Sequence, residues 1–215
     1  MSINKSYAVF GLGRYGRAVA KELLDNGAAV LAVDRNRKLV DELAGEIPLC
    51  KCADITVPGV IEQLGIADFD VVIIAIAGNF EATVMATMLC KEAGVKRVIV
   101  KCAESMQKTI LEKIGADEVV FPENEYGIRL AKNILSSGFL DIADISENIS
   151  VLEISPREEW IGKTLRELEL RKKYSVNVIA LKTGRNIDIA ADPDALITEG
   201  MKFIVIADKR KIKKM

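Results

Sequence analysis

The amino-acid sequence predicts an α/β protein: a Rossmann-like doubly wound parallel sheet followed by a small α+β C-terminal lobe. Three observations predict it. Short, continuous apolar runs recur at helix-length intervals through roughly the first hundred and twenty residues, the pattern of buried parallel strands joined by crossover helices. The first run opens onto Gly11-Leu-Gly-Arg-Tyr-Gly16, and an acid, Asp34, closes the second run about twenty residues later. From about Ser150 the rhythm changes to short strands broken by turns.

The first run, Tyr7 to Phe10, reads as a strand buried on both faces. Gly11 permits the tight turn out of it, Gly13 lets the backbone approach a pyrophosphate, and Gly16 lets the following helix pack against the sheet. Arg14 and Tyr15 lie inside this motif, where a helix running to about Asn26 starts with unpaired N–H groups and a positive dipole end. Asp34, with Arg35 beside it, ends the next strand, where a carboxylate accepts hydrogen bonds from ribose hydroxyls. Strands are expected near 6–10, 29–34, 47–52, 70–77, 96–101 and 118–121, with helices near 13–27, 36–45, 56–65, 79–93 and 104–115. Ligands of open parallel sheets bind outside the carboxyl ends of the strands. This topology therefore sends Asp54, the small run Ala75-Ile76-Ala77 with Asn79, Lys101 and Glu123 to the same cleft as the glycine loop. For Asp54, Lys101 and Glu123, spacing alone also fits ordinary solvated loop charges.

A helical pattern runs from Glu123 to Ser137 with Tyr126, Leu130, Ile134 and Leu135 on one face, and Ser136-Ser137-Gly138 ends it. Phe139, Leu140, Ile142 and Ile145 carry too many apolar groups for a solvated linker. They read as a crossing segment that packs on something, most naturally another subunit. In the second lobe, strands are expected at 151–154, 177–181, 187–189 and 203–206. A short helix should follow Trp160-Ile-Gly-Lys-Thr-Leu165, and Asp192-Pro-Asp194 marks a turn. A lobe of this size gains from pairing with a second copy. The basic tail, Lys209 to Lys214, reads as a solvated end. The domain division expected is residues 1–122, 123–148 and 149–215.

Bulk properties exclude several function classes. Lysine plus arginine number 30 against 31 acids, so there is no basic excess for nucleic acid. The start leaves no room for a signal peptide before the first strand, and the longest apolar stretch, Val71 to Ala77, is too short to span a bilayer. A soluble protein is expected. Cys50, Cys52, Cys90 and Cys102 lack zinc spacing and read as reduced core thiols. The chain has no histidine, which removes the commonest general base and metal ligand and counts against a hydrolase or zinc enzyme.

Taken together, Gly11-Leu-Gly-Arg-Tyr-Gly16, Asp34, Val100-Lys-Cys-Ala103, Ile114-Gly-Ala-Asp117 and Phe121-Pro-Glu123 resemble regulator-of-potassium-conductance (RCK) proteins of the KtrA and TrkA type. The resemblance spans essentially the whole chain, including Trp160-Ile-Gly-Lys-Thr-Leu165 and Asn177-Val-Ile-Ala-Leu181 of the second lobe. It implies a cytoplasmic, non-enzymatic gating subunit, peripherally attached to the membrane through an integral-membrane potassium-translocating subunit of KtrB or TrkH type. It implies homodimers assembled into an octameric ring, with ATP/ADP or NAD/NADH in the first lobe. Arg14 matches the family arginine that reaches phosphate across the dimer, and Glu123 a glutamate that holds a divalent cation between two nucleotides in some members. Leu168-Glu-Leu-Arg171 followed by Asn177-Val178-Ile179 looks like the stretch with which several members bind cyclic di-AMP. The family often has Asp or Asn where Glu169 stands; without the family, the stretch is a capped helix and a hydrophobic strand.

The leading expectation is a binding module whose nucleotide state shifts a conformational equilibrium by differential affinity. The alternative is an NAD-dependent oxidoreductase, which the fold permits, although the second lobe offers no evident proton-transfer group. A scaffold with a vestigial site is the third reading. Asp34 suits any unphosphorylated ribose, so it does not separate ATP from NADH.

Overall fold

The computed structural model describes residues 5–76, 78–135, 139–146 and 148–212, and they form two compact units that meet between Asn124 and Glu125. The first unit contains six strands: β1 (Ser6–Phe10), β2 (Ala29–Asp34), β3 (Leu49–Cys52), β4 (Val71–Ile74), β5 (Val98–Lys101) and β6 (Glu118–Val120). All pair in parallel, in the order β3-β2-β1-β4-β5-β6. The chain starts in the centre, winds outward through β2 and β3, then returns to β4 and winds the other way. The topological switch point lies between β1 and β4, where the strand ends diverge and leave a crevice.

Alternation along the strands divides the core into two layers. Val9, Val30 and Ala32 point to one face, where Ala20 of α1 (Arg14–Asp25) and Val40 and Leu43 of α2 (Arg37–Leu43) cover them. Ala8, Phe10, Val33, Val72 and Ile74 point to the other. There they meet Ile61 of α3 (Val60–Gln63), Ala86 and Cys90 of α4 (Phe80–Glu92) and Leu111 of α5 (Ser105–Lys113). Burial on both faces is why these strands read as continuous apolar runs. The doubly wound class is borne out, with local corrections. The helix expected at 56–65 is reduced to α3, because Pro58-Gly59 occupies its start and Gly59 takes a left-handed φ of 85°. A 3-10 turn, Ile66–Asp68, follows. The strand expected at 70–77 ends at Ile74, and Ala77 lies outside the described residues.

α6 (Pro122–Leu135) crosses the boundary between the units, with Tyr126, Leu130, Ile134 and Leu135 exposed on it. Its expected end at Ser136-Ser137-Gly138 lies outside the described residues. The second unit is an antiparallel sheet in the order β10-β9-β11-β8-β7, and it satisfies the expectation of a small α+β lobe. Its strands are β7 (Phe139–Asp144), β8 (Ile149–Ile154), β9 (Asn177–Thr183), β10 (Asn186–Asp188) and β11 (Met201–Asp208). The stretch read as a crossing segment is β7, a strand of this sheet paired to β8. One sheet face packs under Trp160, which stacks on Phe203 at 6.1 Å and meets Tyr174 at 6.2 Å. Helices α7 (Leu165–Leu168) and α8 (Leu170–Tyr174) supply Leu168 and Leu170 to this core. Thr164 and Glu167 form a reciprocal capping box that starts α7. The tail is not wholly a solvated end: α9 (Lys209–Ile212) buries Ile212.

Candidate functional site

The glycine loop bridges β1 and α1 at the switch point, and its three glycines differ in what the protein itself requires of them. Gly11 has φ of +91°, and a Cβ there would stand 2.9 Å from the Ala75 carbonyl carbon and oxygen. A Cβ on Gly16 would lie 1.9 Å from the Gly11 carbonyl oxygen. Both are therefore dictated by the close approach of β1, α1 and the end of β4. Gly13 is different. Its φ of −63° and ψ of −175° suit any residue, and a Cβ there would meet nothing within 4 Å. Gly13 is also the N-cap of α1, a position without a side-chain cap, and the first turn contains no acid. The helix thus presents uncapped N–H groups to open space, an arrangement suited to an anion.

Asp34 stands opposite, at the end of β2. Its Oδ2 accepts the Leu12 N–H at 2.6 Å and its Oδ1 the Asn36 N–H at 2.8 Å. These bonds fix the carboxylate plane while leaving acceptor capacity for hydroxyl donors. Asp54 is held in a turn of its own, with Oδ1 accepting the Thr56 hydroxyl at 2.6 Å and its N–H at 3.0 Å. Those bonds keep its carboxyl below the ordinary carboxylate range, the hydroxyl first. Asn79 caps α4, its Oδ1 accepting the Ala82 N–H at 2.9 Å.

The residues expected to share one cleft are divided between two adjacent cavities. Gly11, Gly13, Asp34, Arg35, Asp54, Ala75, Ile76 and Asn79 line a cavity of about 280 Å³. Lys101 and Glu123 line a second of about 530 Å³, together with Ile76 and Asn79, which belong to both. The division follows from the switch point, since β2 and β3 lie on one side of the crevice and β5 and β6 on the other. Lys101 is only 12% exposed in its side chain; its Nζ lies 2.5 Å from Glu123 Oε1 and 5.5 Å from the Tyr15 ring centroid. That contact, with a smaller contribution from Arg14, holds the Glu123 carboxyl below its usual range. Arg14, Tyr15 and Gly16 line neither cavity. Arg14 is exposed, with no hydrogen-bond or ion-pair partner among the described residues. Tyr15 lies under Lys101, and Gly16 is a buried spacer. Sequence reasoning missed Asn36, Leu39, Thr56 and Gln107 in the two linings. Asn36 before a helix and Asp54-Ile-Thr56 carry cap and turn signals that point to the first and third of these.

Among the described residues, no group of three or more Asp, Glu, Cys or His side chains is placed to hold a metal ion. Glu123 is a single carboxylate. It fits a magnesium ion only where phosphate oxygens and water complete the shell, the usual manner of that ion. In the second unit, Arg171 is exposed on α8, and Asn177 and Ile179 are exposed on β9. Val178, grouped with them from sequence, packs against the lobe's core instead. Ile179 is the extra residue of a β-bulge, for β11 pairs Ile204 with Ala180 and Val205 with Val178. Glu169 has φ of +48°, a left-handed conformation in which Asn and Asp are the favoured non-glycine residues. No helix among the described residues is long and apolar enough to cross a membrane.

The TrkA-N domain family matches residues 7–122 and the TrkA-C domain family residues 149–215. The Ktr system potassium uptake protein A of Vibrio alginolyticus is 38% identical over 209 residues, which cover 97% of this chain and 95% of the relative. The Ktr system potassium uptake protein C of Bacillus subtilis is 36% identical over 204 residues, 95% of this chain and 92% of the relative. The crystal structure of the GsuK RCK domain shares the fold at a TM-score of 0.51 and 22% identity, covering 99% of this chain and 46% of that one. With two family domains matched in order and relatives 36–38% identical over nearly their whole length, the chain belongs to the TrkA-N/TrkA-C family, beside the Ktr potassium uptake proteins.

Proposed function

We propose that this chain is a non-enzymatic, nucleotide-binding gating subunit of a potassium transport system. The observation that carries the reading is Gly13. It is the one glycine of the loop whose missing side chain nothing in the protein needs, and it faces uncapped helix N–H groups across from a fixed carboxylate. An adenine nucleotide fits that arrangement, with phosphates at Gly13 and the start of α1 and a ribose at Asp34. The first cavity takes the adenosine side, with Arg35, Asp54, Ala75, Ile76 and Asn79 around it. Lys101 and Glu123 stand toward the distal phosphates or second base. ATP/ADP and NAD/NADH both remain within the reading.

The names of the Ktr relatives support a potassium uptake system, and with it an integral-membrane translocating partner of KtrB or TrkH type on the cytoplasmic side. On this reading two copies pair and the pairs close into an octameric ring. Arg14 reaches the phosphates bound by the second copy, where its guanidinium gains a bidentate partner from an added phosphate. Glu123, released from Lys101, shares a divalent cation with those phosphates. In the second lobe Arg171, Asn177 and Ile179, backed by Val178, form a surface for cyclic di-AMP. No group evident in the described site serves hydride transfer, which places the oxidoreductase alternative second.

A thermal-shift panel of ATP, ADP, NAD, NADH and cyclic di-AMP, with and without magnesium, tests the proposal. A ligand at a hundred times its dissociation constant adds about 2.7 kcal/mol of stability. Stabilisation by at least one adenine nucleotide is expected. A panel without any shift would refute it, and turnover of a nicotinamide cofactor with small alcohols or acids would transfer the reading to the oxidoreductase.

A further inference from the structure

Cys50 and Cys52 take no part in the site as read above, yet they stand directly behind it. Two residues apart on β3, they project from the same face of the sheet. Cys50 lies in register with Ala32 and packs partly into the core layer beneath α1 and α2. Cys52 lies in register with Asp34 and is exposed, so the expectation of four core thiols fails here; Cys90 and Cys102 alone are fully buried. The difference arises because β3 is the edge strand, with β2 as its single neighbour. The Cys52 Sγ stands 3.6 Å from the Arg35 carbonyl oxygen, to which its S–H donates. Immediately after Cys52, Ala53 to Thr56 line the first cavity, as does Arg35.

We propose that Cys50 and Cys52 form a peroxide-responsive dithiol whose closure to a disulfide weakens nucleotide binding in the neighbouring cleft. The Cys52 thiolate attacks a peroxide oxygen: an S–O bond forms, the O–O bond breaks, and the departing hydroxide takes a proton to become water. The Cys50 thiolate then attacks the sulfenic sulfur: the S–S bond forms, the S–O bond breaks, and a second water leaves. Peroxide gains two electrons and the thiol pair loses two. The order of attack follows from exposure, since Cys52 meets solvent first. Burial, and secondarily the Asp34 carboxylate, raise the Cys50 thiol, so it attacks through a small thiolate fraction and the resolving step is the slower of the two.

Geometry couples the bond to the cleft. Two strand residues apart, the Cα atoms are separated by about 6.6 Å. That is the outer end of the disulfide range of about 4.4–6.8 Å, whose mode is about 5.5–6 Å. On one face of an extended strand the Cβ atoms stand about as far apart as the Cα atoms, whereas a disulfide needs them about 3.5–4.5 Å apart; closure therefore draws Cys50–Cys52 out of the extended form and out of register with β2, the single neighbour of this edge strand. This distortion takes Cys52 from the Arg35 carbonyl and pulls on the Ala53–Thr56 wall. A strained bond of this kind is readily reduced again, as reversible control requires.

The effect on affinity rests on the proposed nucleotide function; formation of the bond does not. The full chain is treated with hydrogen peroxide, the thiols are counted, and peptides are mapped by mass, while ATP and NAD are each titrated calorimetrically before and after. The expected result is one peptide that spans Cys50 and Cys52 and has lost two hydrogen atoms. The affinity of the nucleotide that binds should weaken about tenfold, dithiothreitol should restore it, and C52S should bind alike with or without peroxide. Oxidation that leaves the Cys50 thiol free, or a disulfide with unchanged affinity, overturns the proposal. A reduced chain that binds neither ligand overturns the functional reading and the coupling with it, and the mass map then still decides whether the two thiols pair.

Discussion

Replacing Gly13 by alanine should separate binding from folding in this loop. At φ −63° and ψ −175° alanine is unstrained, and its Cβ would meet no protein atom within 4 Å. The fold therefore loses little, about 0.5 kcal/mol for a poorer N-cap. A phosphate seated on the N–H groups of α1 would meet the methyl group instead. Displacing it costs roughly one charge-assisted hydrogen bond, about 2 kcal/mol, or about thirtyfold in affinity. At a ligand concentration that is a hundred times the wild-type dissociation constant, stabilisation then falls from about 2.7 to about 0.9 kcal/mol. At about 2–4 °C per kcal/mol, the nucleotide-induced rise in Tm should shrink to about a third. Gly16→Ala is the contrasting variant. Its Cβ would overlap the Gly11 carbonyl oxygen at 1.9 Å, so it should destabilise the chain by more than about 3 kcal/mol, ligand or no ligand. Calorimetric titration and thermal melts of both variants give the answer. A Gly13→Ala chain that binds ATP and NAD as the wild type does would place the phosphates elsewhere and refute the reasoning.

Further expectations follow from single contacts. Arg14→Ala should weaken ATP binding more than ADP binding in calorimetric titrations, with the melting temperature of the ligand-free chain unchanged, because Arg14 is exposed and unpaired among the described residues; equal losses would remove its phosphate-counting role. Glu169→Asn should stabilise the second lobe by about 0.5–1 kcal/mol, since a left-handed φ costs an ordinary residue about 1–2 kcal/mol and asparagine less; a lower midpoint in urea would count against it. Glu153, buried between Lys182 at 2.6 Å and Lys202 at 2.5 Å, has its carboxyl held below the ordinary value of 4.5, chiefly by Lys182. Its contribution to stability is complete above that value and is lost as pH falls through the lowered one. Glu153→Gln should therefore lower the urea midpoint at neutral pH and flatten the acid limb below about pH 4.5, and parallel acid limbs in the two proteins would contradict the assignment.

Much of the fold and the outline of the site were legible because local chemistry dictated them. Gly11 and Gly16 sit where backbone contacts forbid a side chain, and Asp34 ends a strand whose neighbours are set by crossover rules. What escaped the sequence depended on lateral position in the sheet. Spacing says that Lys101 and Glu123 follow strands, but only the strand order puts them across the switch point from Asp34. Cys52 looks like any core thiol until β3 proves to be an edge. Val178 and Ile179 both read as members of one apolar strand, but strand alternation turns Val178 to the core and leaves Ile179, the extra residue of the bulge, outside. Residues 139–144 were ambiguous for a related reason: apolar content announces packing without naming the element, and the backbone there forms β7, paired to β8.

The two-cavity arrangement bears on how a bound nucleotide would be read out. Asp34 is pinned by two backbone N–H groups and Gly11 by the end of β4, so on the proposed reading the adenosine side is held fixed and would receive any adenine nucleotide alike. The far side is where charge is free to rearrange. Lys101 neutralises Glu123 at 2.5 Å, Tyr15 lies under the ammonium, and Arg14 stands exposed beside them. An added phosphate would compete with Glu123 for Lys101 and offer Arg14 a partner, changing ion pairs on this side alone. Differential affinity between two shapes can arise only from contacts that differ between them. On the proposed reading, discrimination among nucleotides therefore resides in Arg14, Lys101 and Glu123, and the glycine loop supplies affinity common to them all.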